Sequence, residues 1–122
     1  MRFKFLNLNP LGELEEDCVC RAISFGTSKD YEDISYKLYL ISALFECEML
    51  CVDCYKHLLD SVFGLERIES FQGHTVEEFI NYNPEGKFII RVSGHLTACE
   101  DGKLIDTWDC RNEIVDIVWK CK

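Results

Sequence analysis

The sequence predicts an α+β fold in which N-terminal helices pack on a C-terminal antiparallel sheet of three to four strands, and three observations carry that prediction. Up to about Tyr82 the apolar residues recur at helical spacing. Beyond the Asn83-Pro84-Glu85-Gly86 turn the pattern becomes alternating or continuously apolar, as strands require. Asp101-Gly102 separates two of these runs, and both residue types accept positive φ, a strong two-residue hairpin signal. Helices followed by strands, without alternation of the two, place the sheet at one end of the chain. At 122 residues, without repeats or linkers, the chain is expected to form one domain spanning 1-122.

The elements follow in order. Asp17 to about Gly26, DCVCRAISFG, reads as a short helix with Asp17 as N-cap and Gly26 as its stop, which puts Cys18 in the first turn. Asp30 to Glu46 places Ile34, Leu38, Ile41 and Phe45 on one face at spacings of four, three and four. Met49 to Gly64 reads as a third helix closed by its glycine. In TVEE, Thr75 and Glu78 form a capping box that opens a fourth. KFIIRV, HLTACE, KLIDTW and EIVDIVW are the strands.

The formal charge of −9, from 13 basic and 22 acidic residues, argues against nucleic acid and against an anionic membrane surface, since both need a basic face. No segment approaches the roughly 20 apolar residues of a transmembrane helix. The start, MRFKFLNLNPLGELEEDC, lacks a long apolar core followed by a small-residue cleavage site, so a cytoplasmic location is expected. In that compartment the eight cysteines are expected to be reduced, most of them buried as small hydrophobes.

A cysteine is nucleophilic as its thiolate, which a helix N-terminus and a nearby imidazole both stabilise. Cys18 has the first aid, while Cys20 faces roughly the opposite side of the same helix. Of the three histidines, His57 is mid-helix and His74 precedes a cap, whereas His95 opens a strand that holds it rigidly. With a two-residue turn at Asp101-Gly102, Glu100 faces Lys103, Thr97 faces Asp106 and His95 faces Trp108. Asp106 is then diagonal to His95, within reach of a bond that fixes the imidazole tautomer.

DCVCRAIS, TSKDYEDI and TVEEFINYNPEGKFIIRVSGHLTACEDGKLIDTWD together resemble a family of small papain-like cysteine peptidases of bacteria and their phages. That family reads roughly as Asn-Pro, Gly-Asp-Cys with Arg-Ala shortly after, Thr-Gly-Lys-Asp-Trp, Pro-x-Gly-x-Tyr, Gly-x-His and Asp-Thr-Trp-Asp. The resemblance covers most of the chain and is weakest between about Leu40 and Gly73. It implies a papain-like fold, Cys18 as nucleophile, His95 as general base and Asp106 as the orienting third member, acting on a peptide or protein substrate. It also implies an upstream side chain at the oxyanion, for which Asn9 and Asn7 are candidates and Asn9, matching the family's Asn-Pro, is preferred. The chain departs from the pattern at Glu16 and Ser28, where the family has glycines; Glu16 places a negative charge that opposes thiolate formation.

The function expected is a cysteine hydrolase that cleaves peptide, isopeptide or other amide bonds through an acyl-enzyme, with no cofactor and no metal. A second reading is an inactive scaffold of phage or bacterial origin that engages a basic partner through its acidic surface. A third, a small zinc-binding module, would use Cys47, Cys51, Cys54 and His57, but Cys47, Cys51, Cys54 and Leu58 read more simply as the core stripe of one helix. Glu13-Glu15-Glu16 and Glu77-Glu78 read as solvated acidic faces, Trp108 and Trp119 as core or groove aromatics, and Asn9-Pro10 also as a plain turn.

Overall fold

The computed structural model describes residues 1–13 and 16–122, so Glu15 of the first acidic cluster lies outside the described residues. Its strands are β1 (Arg2–Phe5), β2 (Glu66–Ile68), β3 (Lys87–Val92), β4 (His95–Glu100), β5 (Lys103–Asp106) and β6 (Ile117–Lys120). Its helices are α1 (Cys18–Thr27), α2 (Tyr31–Phe45), α3 (Val52–His57), continued by a π-helical turn at Leu58–Val62, and α4 (Val76–Tyr82). The fold is α+β, but the sheet has six strands in the order β1-β5-β4-β3-β6-β2, larger than the three to four expected. It is also mixed, because β1 pairs with β5 in parallel while the other pairs are antiparallel. The two added strands are the edges, four and three residues long, too short to display a period in the sequence.

Helices α1 to α3 cover one face of the sheet and α4 the other. Ile23, Leu38, Leu58, Ile89, Leu96 and Trp119 belong to the first core. Phe79, Phe88, Ile90, Val92, Leu104 and Val118 belong to the second. Alternate residues of β3 thus enter opposite cores, which is why KFIIRV is continuously apolar rather than alternating. Between β4 and β5, Glu100 pairs with Lys103 and Ala98 with Ile105, the register read from the Asp101-Gly102 turn. Asp101 and Gly102 both take positive φ there.

Three local readings change. Gly26 does not stop α1; it lies inside the helix, where an added Cβ would come 2.5 Å from Ile89 Cγ1, and the left-handed Ser28 ends the helix instead. Phe45 is exposed and leaves the buried face of α2 to Ile34, Leu38 and Ile41. The third helix does not begin at Met49: left-handed Glu46 ends α2, a turn follows, and Cys51 is the N-cap of α3, which starts at Val52 and continues through its π-helical turn to Val62. The capping box at Thr75 and Glu78 is formed, with both reciprocal bonds in place.

Candidate active site

Cys18 is the first residue of α1 and His95 the first of β4, while Asp106 is the last of β5. The sheet register makes the second and third neighbours, and α1 lays the first against them. His95 Nε2 is 2.7 Å from Asp106 Oδ2, the diagonal pairing that the hairpin dictates. Cys18 lies within hydrogen-bonding reach of the same imidazole.

These contacts set the charges. Burial alone would push the Cys18 thiol up, but hydrogen bonding to His95 and the Leu96 backbone, with the positive charges of His95 and Arg21, holds it below the ordinary thiol range. Burial would likewise push His95 down; its bonds to Asp106, Cys110 and Cys18 overcome this and push it up to about 11. Asp106 is buried, which raises a carboxyl, yet His95 and neighbouring donors keep it below the usual range. All three shifts favour a thiolate–imidazolium pair backed by a carboxylate. Cys20 behaves oppositely, since burial pushes its thiol up to about 11.

Asp17 occupies the N-cap position of α1 but makes no capping bond with its side chain. Its carboxylate instead accepts from Asn9 Nδ2 at 3.0 Å, Arg21 Nε at 2.7 Å and the Tyr31 hydroxyl at 2.7 Å. The backbone N–H groups at the start of α1, beside the Cys18 sulfur, are therefore not consumed by their own cap. Asn9 is buried, and its carboxamide oxygen accepts from the Leu11 N–H at 2.8 Å to form the turn that Asn9-Pro10 also suggested. Its amide donates to Asp17, which ties Asn9 to the residue that precedes Cys18. Asn7 holds the same loop, accepting from the Asn9 N–H and donating to the Glu13 carbonyl.

Arg21 is the residue whose role sequence reasoning missed. From the second turn of α1, its guanidinium reaches Asp17 Oδ1 at 2.7 Å, Asp106 Oδ1 at 3.3 Å and Thr107 Oγ1 at 2.9 Å. It ties the helix that carries the cysteine to the strand that carries the carboxylate, and its fork is suited to such bridging. The signal was present as the Arg-Ala of the motif, but a role needs the partner, which lies 85 residues away. Cys110 was also missed: fully buried, its sulfur lies within 4.8 Å of the donor atoms of His95 and Asp106. The buried Thr97 hydroxyl sits beside Asp106 without a well-formed hydrogen bond.

A cavity of about 560 Å³ opens over the cysteine, lined by Glu16, Cys18, Arg21, Leu50, Tyr55 and Arg91 among others. Glu16 is exposed at this cavity. Trp108 is 45% exposed and sets its ring edge-on to His95, centroids 4.9 Å apart. Tyr55 accepts from Arg91 Nε at 2.7 Å, and Arg91 also pairs with Asp116, so the wall's cation is neutralised. Trp119 lies in the core, its indole N–H donating to Asp60.

Two groups among the described residues bring three metal-ligating atoms together: Cys47, Cys51 and Cys54, and His95, Asp106 and Cys110. A metal at the second would have to displace the His95–Asp106 bond. At the first, the expected core stripe is corrected: Cys54 and Leu58 are buried, but Cys47 and Cys51 are half-buried in and at the end of a turn. Cys47 and Cys54 form a disulfide, against the expectation that the cysteines are all reduced, while the other six are free. His57 stands apart, its ring 4.6 Å from that of Phe45, and His74 faces Glu78 at 3.5 Å.

No described helix is long and apolar enough to cross a membrane. Comparison with family models, curated proteins and solved structures finds no match to this chain.

Proposed function

We propose that the protein is a papain-like cysteine hydrolase that cleaves peptide, isopeptide or related amide bonds with Cys18, His95 and Asp106. The observation that carries this reading is a thiol held low and an imidazole held high at one cavity, with a buried carboxylate 2.7 Å from that imidazole. Structural cysteines are pushed up by burial, as Cys20, Cys99 and Cys121 are, whereas Cys18 is held down.

In this reading His95 holds the proton of Cys18, and the thiolate attacks the substrate carbonyl carbon. The carbonyl π pair moves to oxygen, and the N–H groups at the start of α1 donate to that oxyanion; the Asp17 side chain binds Arg21, Asn9 and Tyr31 and does not cap them. As the C–N bond breaks, the imidazolium gives its proton to the leaving amine. A water then loses a proton to His95 and attacks the thioester, releasing the acid and restoring the thiol proton to the pair. Asp106 keeps Nε2 engaged throughout, so Nδ1 is the nitrogen presented to sulfur and substrate.

Differential alkylation tests the reading. With iodoacetamide at neutral pH, Cys18 is expected to react faster than the other free cysteines, and His95→Ala to abolish that advantage. Labelling of Cys18 no faster than Cys51, the other partly exposed free thiol, with no response to His95→Ala, rules the hydrolase out. Turnover of a peptide library by the same preparation then defines the bond cleaved.

A further inference from the structure

We propose that Cys47, Cys51 and Cys54, in their thiol state, form a binding site for a single soft divalent ion of the zinc type. Their three sulfurs all lie within 4.8 Å of one another. A tetrahedral ion with metal–sulfur bonds of about 2.3 Å holds its sulfurs about 3.8 Å apart, so once the Cys47–Cys54 bond is reduced those two sulfurs move apart to that spacing while Cys51 already lies within reach. The convergence comes from the interruption of the helix: Cys47 follows left-handed Glu46, Cys51 is the N-cap of α3, and Cys54 lies in its first turn. A pair on a turn followed by a ligand on the next helix is an arrangement that one continuous helix cannot supply.

The chemistry of the donors selects the ion. Sulfur ligands favour zinc and its soft relatives over magnesium or calcium, which take oxygen. Burial is graded, with Cys54 fully enclosed and Cys47 and Cys51 half-exposed, so an ion has an anchored base and an open approach. His57 is turned to Phe45 and is not among the converging donors, which leaves the fourth position to water or a small ligand.

The disulfide between Cys47 and Cys54 is the form that excludes the ion. Two molecules of a low-molecular-weight thiol of the glutathione class together supply two electrons and two protons, join as one disulfide, and leave Cys47 and Cys54 as thiols. The divalent ion then displaces the three thiol protons as it binds. Leu50, Val52 and Tyr55, which line the cavity over Cys18, belong to the same segment, so the ion braces that wall.

The test uses the whole protein, reduced with a phosphine, freed of metal and titrated anaerobically with Co²⁺ and then Zn²⁺. One equivalent of Co²⁺ is expected to bind with thiolate-to-cobalt charge-transfer absorption, and Zn²⁺ to displace it. Cys51→Ser, which puts a favoured residue at the N-cap, is expected to weaken Co²⁺ binding by about tenfold or more without loss of helical circular dichroism. Cys47→Ser should act likewise, and Cys110→Ser, at the other three-donor group, should leave binding unchanged. Absence of a saturable charge-transfer band in the reduced protein overturns the proposal. So does a band that survives both Cys47→Ser and Cys51→Ser, or one lost in Cys110→Ser.

Discussion

The cavity over Cys18 has two walls of different construction. On one side the β4–β5 hairpin carries His95 and Asp106 on paired strands, fixed in register by the Asp101-Gly102 turn and tied to α1 by Arg21. On the other, Leu50 comes from a turn and Val52 and Tyr55 from the six-residue helix α3 that follows it. The first wall is held by charge-assisted hydrogen bonds and a sheet buried on both faces. The second is held by the Cys47–Cys54 disulfide and by the bond from Arg91 to the Tyr55 hydroxyl, while its Leu50 rim is 40% exposed. Proton transfer tolerates little positional error, whereas accepting a substrate side chain tolerates more, so the rigid wall suits chemistry and the looser one recognition.

The sharpest way to break this division is at the rigid wall. His95→Ala is expected to lower hydrolysis by about 10³-fold or more, and its pH dependence says why. The Cys18 thiol is held below its ordinary value, so alkylation should persist as pH falls beneath the usual thiol range. The imidazolium partner survives to about pH 11, which sets the upper end of the ion-pair window. Removing the imidazole returns the thiol to burial's influence, and the alkylation profile should move to higher pH. A profile of rate against pH for both proteins measures this, and coincident profiles would detach His95 from Cys18.

Arg21→Met separates position from chemistry. It leaves the triad atoms in place but strips the buried Asp17 and Asp106 carboxylates of their shared cation, at side-chain exposures of 8% and 4%. Breaking a buried ion pair costs about 3–5 kcal/mol, and because Asp106 keeps His95 and Asp17 keeps Asn9 and Tyr31 the loss read from urea unfolding should not exceed that range. Arg21→Lys restores charge without the fork and should recover only part of the loss.

How much of each wall was legible follows from the range of the contacts. The hairpin declares itself locally: a two-residue turn and the strands beside it are enough to place Asp106 diagonal to His95. The capping box at Thr75 is likewise a four-residue affair. The other wall depended on where α2 stops, and nothing in FECEMLCVDC distinguishes a helix running through from one interrupted at Glu46, which adopts a left-handed conformation without being glycine. Edge strands β1 and β2 find partners 101 and 54 residues away, from Arg2 to Lys103 and from Glu66 to Lys120, beyond any periodicity argument. Arg21 falls between: its residue type was visible in the motif, its three partners were not.

Gly26→Ala probes how closely α1 is seated on the sheet. A methyl group there meets Ile89 Cγ1 at 2.5 Å and Cys121 Sγ at 3.0 Å, so helix or strand must yield. Overpacking of this kind costs about 1–3 kcal/mol, with the helix preference for alanine offsetting up to about 1 kcal/mol of it. Because Cys18 rides on the same helix, its alkylation rate should fall along with the unfolding midpoint. A stability loss with unchanged alkylation would mean that the start of α1 is held by Arg21 and Asp17 independently of its other end.

The smallest effect is expected at the looser wall. Leu50 is 40% exposed and contacts the cavity rather than the core, so Leu50→Ala removes little buried surface and should leave stability within about 0.5 kcal/mol. If this wall serves recognition, a substrate that fills it loses part of its apolar contact. At about 25 cal/mol per Å², that is a severalfold rise in KM with kcat nearly unchanged, the signature of binding lost equally from ground and transition states. A fall in kcat instead would mean that the segment from Leu50 to Tyr55 positions the reacting groups, and the two walls would then have to be treated as one device.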